Sequence, residues 1–266
     1  MLLNSVIIVL REVLEAALML SVLLASERFL HVTRRWVLPA ILLGLAGAAT
    51  YGYFLDPVSE LFDGVGQEVC NALLQFATFV LIALLAFQVP QQLRSAPRRR
   101  SNRIALLMAA MVIMAFTREG SEIYIYVSGF WNVTDFFSAV ALGSIVGGCI
   151  GFSIGVLIYY LLLARPLRQE PAISIILLAL IGAGLASQAV RLLIQADWIS
   201  SAGAIWDTSF LLSEQSLLGQ LAYALVGYEA SPSAVEAIVY LASLLFVALA
   251  YFSGKFANKV NEDTTL

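Results

Sequence analysis

Seven long apolar stretches, separated by shorter polar segments, organise the chain. Their approximate bounds are 4–26, 37–55, 68–90, 104–127, 135–163, 171–195 and 234–254. A membrane span needs about 20 mostly apolar residues, and each stretch is close to that length or longer. Backbone groups in hydrocarbon must be hydrogen-bonded within their own segment, so we expect helices; the two-residue alternation of a membrane barrel is absent. The pattern predicts an all-α, polytopic membrane protein with seven transmembrane helices and a single domain over residues 1–266.

Charged residues interrupt two of these stretches near their centres. Residues 11–15 read Arg-Glu-Val-Leu-Glu and residues 118–122 read Arg-Glu-Gly-Ser-Glu, so both have the form Arg-Glu-x-x-Glu. An ionisable side chain at that depth costs about 2.5–3.5 kcal/mol on insertion scales, which makes it a functional candidate by default. Because the motif occurs twice, we interpret the copies as two halves of one cation site.

The spacing of the two motifs predicts an internal repeat. They lie 107 residues apart, and the same shift places span two on span five and span three on span six. A unit of three spans is odd in number, so the second unit must be inverted relative to the first, about a pseudo-two-fold axis in the membrane plane. We expect repeat one at about 4–90, repeat two at about 104–195, an outer loop at 196–233 and a final helix at 234–254.

Composition and charge add an orientation. The chain is 61% hydrophobic and 12% charged, with a mean hydropathy of +0.89, whereas a soluble domain has about 25% charged residues. Lys and Arg follow spans one, three, five and seven, and none occurs in the loops after spans two, four and six. The positive-inside rule therefore predicts an N-terminus outside and a C-terminus in the cytoplasm.

Acidic residues gather on the predicted outer face. Glu68 begins span three and Asp207 lies in the long outer loop. An acidic mouth concentrates cations, so these two residues are candidates for an outer cation funnel. The alternative is that acids simply remain where the positive-inside rule has removed the bases.

The motif residues suit a hard cation. Glu12 and Glu15 are three residues apart and share a helix face, as do Glu119 and Glu122, and Arg11 and Arg118 each lie four residues before the second Glu of their motif. Four carboxylates from two helices make an oxygen-only cage. The two cysteines are expected to pack within spans, and the only histidine lies in a predicted cytoplasmic loop. Copper(I) and an ordinary zinc site are thereby disfavoured, which leaves iron(III), iron(II), manganese, calcium and magnesium.

Charge balance leaves the ion open. Four Glu and two Arg sum to minus two, so a divalent ion would be neutralised and a trivalent ion would want one further acid, for which Glu68 and Asp207 are candidates. The structural alternative is that the Arg and Glu residues only tie helices together. The acidic excess argues against it, because buried carboxylates would remain unpaired.

Three smaller sequence features can be explained by structure alone, and two of them also suggest a functional role. Met108, Met111 and Met114 recur every third residue and suit core packing, or a soft-ligand exit path. Ser233 and Glu236 form a capping box at the start of the last span. The segment 206–228 is expected to contain a short amphipathic helix that could cover the site from outside.

Paired Arg-Glu-x-x-Glu motifs in spans one and four of seven resemble the oxidase-dependent iron permease family. Its members include fungal high-affinity iron permeases and the permease subunit of bacterial elemental-type iron uptake systems. Trp206-Asp207-Thr208-Ser209, and the stretch 227–233 leading to Glu236, look like the family's last extracellular loop and final helix. The family's first motif often has glycine at the position that Val13 occupies here.

The resemblance implies iron uptake across a bacterial inner membrane, with Glu12, Glu15, Glu119 and Glu122 as ligands and Arg11 and Arg118 as supporting charges. It also implies a partner that oxidises or delivers iron at the outer face. Iron is then cargo, and no resident cofactor is expected.

We therefore expect an iron permease that moves ferric iron inward. The alternatives are a permease for a divalent metal (ferrous iron, manganese or lead) and a non-transporting scaffold for a partner oxidase. An enzyme is not expected, because no nucleophile, histidine-bearing metal centre or cofactor motif is visible. Membrane lipid is an expected partner and nucleic acid is not; a homo-oligomer stays an open alternative.

Overall fold

The computed structural model describes residues 1–94, 101–164, 171–214 and 216–263, and these residues form a helical bundle. The helices are α1 Leu2–Leu30, α2 Val37–Tyr53, α3 Leu55–Ser59, α4 Gly66–Arg94, α5 Asn102–Ser128, α6 Thr134–Leu162, α7 Pro171–Gln195, α8 Leu217–Val226 and α9 Ala234–Asp263. Within this part of the chain no strand forms, and one isolated bridge pairs Ala204 with Ser233. The all-α expectation is confirmed, and each predicted apolar stretch coincides with one long helix.

Six helices of the described residues are long and apolar enough to cross a membrane. They cover Arg34–Tyr53, Gly66–Leu93, Asn102–Ser128, Phe136–Leu162, Ala172–Gln195 and Ala234–Phe256. Helix α1 has 29 residues and is not among the six. Its sequence contains Arg11, Glu12, Glu15, Glu27 and Arg28, so its polarity comes in part from the first motif itself.

Two helix pairs pack closely through glycine. Helix α1 packs along α6, and helix α5 packs along α2. A Cβ atom added to Gly151 of α6 would lie 2.8 Å from the carbonyl oxygen of Leu10, and one added to Gly44 of α2 would lie 2.5 Å from Cβ of Phe116. Small residues let membrane helices approach to backbone contact. These contacts hold α1 and α5, the two motif helices, against the rest of the bundle.

The short helix expected within 206–228 is α8, and it reaches deep into the bundle. Ala224 packs in one apolar cluster with Leu10, Leu14 and Leu18 of α1. The helix ends at Gly227, whose φ of 64° is left-handed and favours glycine. A Cβ atom added to Gly184 of α7 would lie 2.9 Å from Cα of Gly227, so these two backbones are in contact near the middle of α7.

A dry apolar core fills the bundle on one side of the motifs, towards the end of α1 and the start of α5. Its fully buried members include Val22, Leu23, Leu85, Met108 and Met111. The packing interpretation of Met108 and Met111 is therefore correct. Met114, one turn further along α5, is only partly buried.

The start of α9 has the predicted capping box. The Ser233 amide donates to Glu236 Oε2 at 2.7 Å, and the Glu236 amide donates to Ser233 Oγ at 3.3 Å. Arg191 of α7 pairs with Glu229 at 2.7 Å and approaches Glu236 at 3.8 Å. These contacts join the outer loop to α7 and α9.

Several basic residues behind the predicted orientation lie outside the described residues or have undescribed side chains. They are Arg94, Arg98, Arg99, Arg100, Arg165, Arg168 and Lys259. The orientation of the termini stays a prediction.

Candidate functional site

The two motifs meet where α1 contacts α5. Each motif places its Arg and two Glu within one helical turn, so its charges project from a short length of helix. The shortest ion pair between the helices joins Arg118 Nη1 and Glu15 Oε2 at 3.2 Å. The four glutamates predicted as ligands therefore belong to one charged cluster.

Arg118 is the centre of this cluster. Its Nη1 lies 2.7 Å from Glu119 Oε1, and its Nε lies 3.2 Å from Glu122 Oε1. With Glu15 it therefore contacts three of the four carboxylates, and its side chain is only 7% exposed. In this state the guanidinium is the cation that neutralises the interior of the cluster.

Arg11 occupies a different position, although its motif is the same. It lies 2.7 Å from Glu12 Oε1 and 3.9 Å from Glu15 Oε1, and its side chain is 39% exposed. Its guanidinium lies over the ring of Tyr223 from α8, at 5.7 Å from the ring centre. Arg11 thus borders the cluster, and α8 helps to hold it there.

Carboxylate oxygens of Glu12, Glu119 and Glu122 converge on one point. One oxygen from each lies within 4.8 Å of the others. Two ligands on opposite sides of a small ion, with bonds of about 2.1 Å, are about 4.2 Å apart, so small side-chain rotations would bring these oxygens to bonding distance. Glu15 is the remaining predicted ligand, and its Oε2 is held by Arg118.

Several of these oxygens have no hydrogen-bond partner. Among the described residues, Glu12 Oε2, Glu15 Oε1 and Glu119 Oε2 are buried and unpartnered. Glu12 is 1% exposed and Glu119 is 3% exposed. Buried charged groups are normally paired or coordinate a metal, so the free oxygens mark a place that can accept a cation.

Helix α4 contributes polar residues that the sequence analysis did not single out. Asn71 Nδ2 donates to Glu122 Oε1 at 3.4 Å, and Gln75 Nε2 donates to Gln188 Oε1 of α7 at 2.8 Å. Thr78 Oγ1 lies 3.7 Å from Met114 Sδ. The sequence does contain a pattern that marks these polar residues, because one face of this apolar span carries a polar residue every three or four positions: Glu68, Asn71, Gln75 and Thr78.

Two cavities adjoin the cluster. A small one of about 30 Å³ lies between Glu15, Gln75, Arg118 and Gln188. A larger apolar cleft of about 390 Å³, lined by α1, α2, α5 and α6, reaches Glu12 and Glu119. The carboxylates thus lie between a small cavity with several polar side chains in its wall and a larger, almost wholly apolar cleft.

Neither predicted funnel residue takes part in the ion pairs described above for the cluster. Asp207 is in the outer loop, where its Oδ1 accepts hydrogen bonds from the amide and hydroxyl of Ser209, and these bonds lower the pKa of the Asp207 carboxyl. Glu68 is in the first turn of α4, one turn before Asn71. Their role in attracting cations stays a prediction.

Comparison with known proteins decides the family. The sequence profile of the iron permease FTR1 family matches residues 2–260. The chain belongs to this family. It is similar to the ferrous iron permease EfeU of Escherichia coli O6:H1, with 29% identity over 264 residues that cover 92% of this chain and 93% of the relative. The EfeU of Yersinia pestis is 28% identical over 268 residues, covering 92% of each chain. No solved structure matches.

Membership of this FTR1 family confirms the expected class. The protein is a permease and not an enzyme, and iron is the substrate that it transports. Six apolar helices of membrane length and bacterial EfeU relatives make it a multi-pass protein of the inner membrane. The resemblance on which the sequence analysis relied is therefore confirmed over nearly the whole chain.

Proposed function

We propose that iron crosses the membrane through a site made by Glu12, Glu15, Glu119 and Glu122. The observation that carries this proposal is the convergence of three carboxylate oxygens within 4.8 Å, with unpartnered oxygens beside them. Ties between helices would need no more carboxylates than arginines, whereas here four carboxylates share Arg11 and Arg118, and buried charge without full compensation is costly. An iron ion would use the oxygens that the protein leaves free.

Arg118 holds the site ready for the ion. A cation entering among Glu15, Glu119 and Glu122 competes with the guanidinium that contacts all three. Binding of iron would release Arg118 from at least one of them. The arginine then lowers the cost of the empty site and weakens iron binding enough to allow release, which a transporter needs as much as capture.

Six spans in an inverted 3+3 repeat, plus a seventh helix, form the proposed frame, with the N-terminus outside and the C-terminus in the cytoplasm. The exchange of partners supports the repeat, because α1 packs on α6 and its counterpart α5 packs on α2, the counterpart of α6. Gly44 and Gly151, which are 107 residues apart, each face the opposite motif helix.

The same frame accounts for Val13. The facing helix α6 has glycine at 151 and 155, and the Cβ of Val13 would lie 3.2 Å from a Cβ at Gly151. In the second repeat, Gly120 occupies the position equivalent to Val13, and it faces Ala48 of α2, which is equivalent to Gly155. A Cβ atom added to Gly120 would lie 2.8 Å from Cβ of Ala48. A larger motif residue is thus matched by a smaller partner.

Charge and the names of the relatives favour one oxidation state of the ion. Fe³⁺ is the ion expected from the sequence, and that expectation stays a prediction. The net charge of minus two for four Glu and two Arg would be neutralised by Fe²⁺, and the relatives are named ferrous iron permeases. We therefore propose that Fe²⁺ occupies the site, with Fe³⁺ as the second candidate. An outer partner that oxidises or delivers iron, and a homo-oligomer, stay predictions.

The test is uptake of radioactive iron into proteoliposomes of the purified protein. Iron is presented as Fe²⁺ under ascorbate and, separately, as a soluble Fe³⁺ chelate. We expect Glu→Gln at each of the four positions to reduce uptake at least tenfold. Glu27→Gln is the control for loss of a buried carboxylate from the same helix, because Glu27 pairs with Trp36 Nε1 and Arg34 and with no member of the cluster. Glutamine keeps the acceptor for Trp36 but loses the ion pair with Arg34, so folded yield is measured beside uptake.

Each outcome has a defined meaning. Loss of uptake in the four variants but not in Glu27→Gln supports the four-carboxylate site, and the form of iron that is taken up identifies the oxidation state. Full uptake by any one of the four variants removes that residue from the site. Uptake unaffected by all four would leave the proposed site without a role in transport.

A further inference from the structure

One face of α4 carries a polar stripe past the carboxylate cluster. Glu68, Asn71, Gln75 and Thr78 are spaced three, four and three residues apart, so they share a helix face. The stripe follows α5 in the opposite direction, from Asn71 beside Glu122 to Thr78 beside Met114. The four-carboxylate site needs no residue as far along as Gln75 or Thr78, so these two call for an explanation of their own.

Gln75 and Thr78 line the small cavity of about 30 Å³ together with Met114 and Gln188. Glu15 and Arg118 of the cluster form another part of its wall. Met19 and Ile181 also line it and belong to the dry apolar core. A volume of about 10–15 Å³ is enough for one water, so the space can hold a small ion between the carboxylates and the core.

Arg118 in this wall only donates, whereas the side chains on another part of the wall offer acceptors: Gln75, Thr78, Met114 and Gln188. Gln75 is 2% exposed, and while its Nε2 donates to Gln188 Oε1, its Oε1 is unpartnered among the described residues. The Thr78 hydroxyl donates to the Leu74 carbonyl at 2.8 Å, which leaves its lone pairs to accept. Met114 offers a thioether sulfur. Buried polar atoms are costly when unsatisfied, and a cation would satisfy these acceptors together.

We propose that this cavity is a second iron position, next to the four-carboxylate site and on its predicted cytoplasmic side. Oxygen atoms of Gln75, Thr78 and Gln188 and the sulfur of Met114 are its ligands. Glu15, a ligand of the first position, also lines this cavity. The proposal rests on the proposed function, because it requires iron to pass the carboxylates first.

The chemistry of these ligands suits a transient stop for Fe²⁺. Neutral oxygens bind a divalent ion less strongly than carboxylates do, and an ion in transit must be able to leave each position. A thioether is a soft ligand and suits Fe²⁺ better than the harder Fe³⁺. Two neighbouring positions also let an arriving ion displace the one ahead of it.

The first variant is Gln75→Leu with Gln188→Leu in one chain. Removing both partners avoids leaving one buried amide unpaired, and apolar replacement of such a pair can be nearly neutral for stability. We expect ⁵⁵Fe²⁺ uptake into proteoliposomes to fall at least tenfold. Equilibrium binding of ⁵⁵Fe²⁺ to the purified variant, measured at concentrations that fill the carboxylate site, should stay within threefold of wild type.

Two outcomes separate this proposal from the proposed function. If uptake needs the four glutamates but the Gln75→Leu, Gln188→Leu variant takes up iron as wild type does, the second position is overturned and the first is kept. If uptake does not depend on the four glutamates, the proposed function itself fails. Gln220→Leu is the control for loss of a buried amide, because Gln220 is 8% exposed and donates to the Glu214 carbonyl away from this cavity. Its uptake should stay within twofold of wild type.

Gln75→Glu keeps the proposal testable if the double variant does not fold. A carboxylate in place of the amide would turn the transient position into a tight one. We expect the iron bound at equilibrium to rise from about one to about two ions per chain while uptake falls at least fivefold. Unchanged stoichiometry together with wild-type uptake would overturn the second position.

Discussion

Replacing Arg118 by glutamine should destabilise the iron-free protein more than the same change at Arg11. Arg118 contacts three carboxylates at 2.7–3.2 Å with 7% of its side chain exposed. Arg11 contacts one carboxylate in that range, Glu12, through Nη2 at 2.7 Å and Nε at 3.0 Å, and is 39% exposed. The two variants remove the same charge from the same motif, so each is the control for the other.

The magnitude follows from burial. Removing one partner of a buried ion pair costs about 3–5 kcal/mol, because the remaining charges stay buried without compensation. An exposed pair contributes about 0–1 kcal/mol, and the pair of Arg11 lies between these limits, because Arg11 is 39% exposed while Glu12 is buried. For a chain of this size, a difference of about 2 kcal/mol corresponds to a shift in unfolding midpoint of about 4–8 °C, which tryptophan fluorescence of the protein in detergent can follow.

Iron should reverse the effect at Arg118. With the guanidinium gone, the cluster has a larger negative charge and no competing cation, so saturating Fe²⁺ should raise the midpoint of Arg118→Gln more than that of the wild type. A ligand that binds only the folded state stabilises it by mass action. Equal midpoints for the two variants, or an Arg118→Gln protein indifferent to iron, would refute the view that Arg118 occupies the place of the ion.

Three further predictions concern packing, loop charge and motif size. Gly151→Leu should abolish accumulation of folded protein in the membrane, because even a Cβ atom at this position would lie 2.8 Å from the Leu10 carbonyl oxygen. Gly203→Ala is the control and should accumulate normally, because a Cβ atom there meets nothing within 4 Å. Immunoblotting of membrane fractions measures the amount of both variants. Gly120→Val should lower folded yield while Val13→Gly is tolerated, and similar yields for the two would contradict the size match with Ala48 and Gly151. Burial raises the pKa of the Glu229 carboxyl to about 7. Between the ordinary pKa near 4.5 and this value, the folded protein keeps a proton on Glu229 that the unfolded chain has lost. The free energy of unfolding should therefore fall as pH rises from 5 to 7. Glu229→Gln should flatten this part of the pH profile of the unfolding midpoint, and a profile identical to wild type would exclude the effect.

The long helices were predictable because their signal is simple. Continuous apolar runs admit only helical structure in a bilayer, and all seven predicted runs coincide with long helices. The motif residues were predictable for a related reason, since a charge in an apolar run has few explanations other than function. Both conclusions depend on local sequence and need no knowledge of neighbours.

The remaining features depend on which helices become neighbours. Two motifs of the same form gave no hint that Arg118 would be buried among three carboxylates while Arg11 would be partly exposed and lie over the ring of Tyr223. The depth of α8 depends on the contact of Gly227 with Gly184, which lie far apart in sequence. Gln75 shares a helical spacing with Asn71 and Thr78, but an uncharged amide in a span commonly serves helix packing. Its contact with Gln188 in a shared cavity depends on which helices are neighbours.

The central claim is that the four glutamates form one iron site, and equilibrium binding of ⁵⁵Fe²⁺ to purified protein tests it most directly. Wild type is compared with the double variant Glu12→Gln and Glu119→Gln, which changes one buried carboxylate from each motif helix, and with Glu27→Gln. The account predicts that the double variant loses tight binding, with affinity at least a hundredfold weaker, while Glu27→Gln binds as wild type does. Wild-type affinity in a folded double variant would contradict the account.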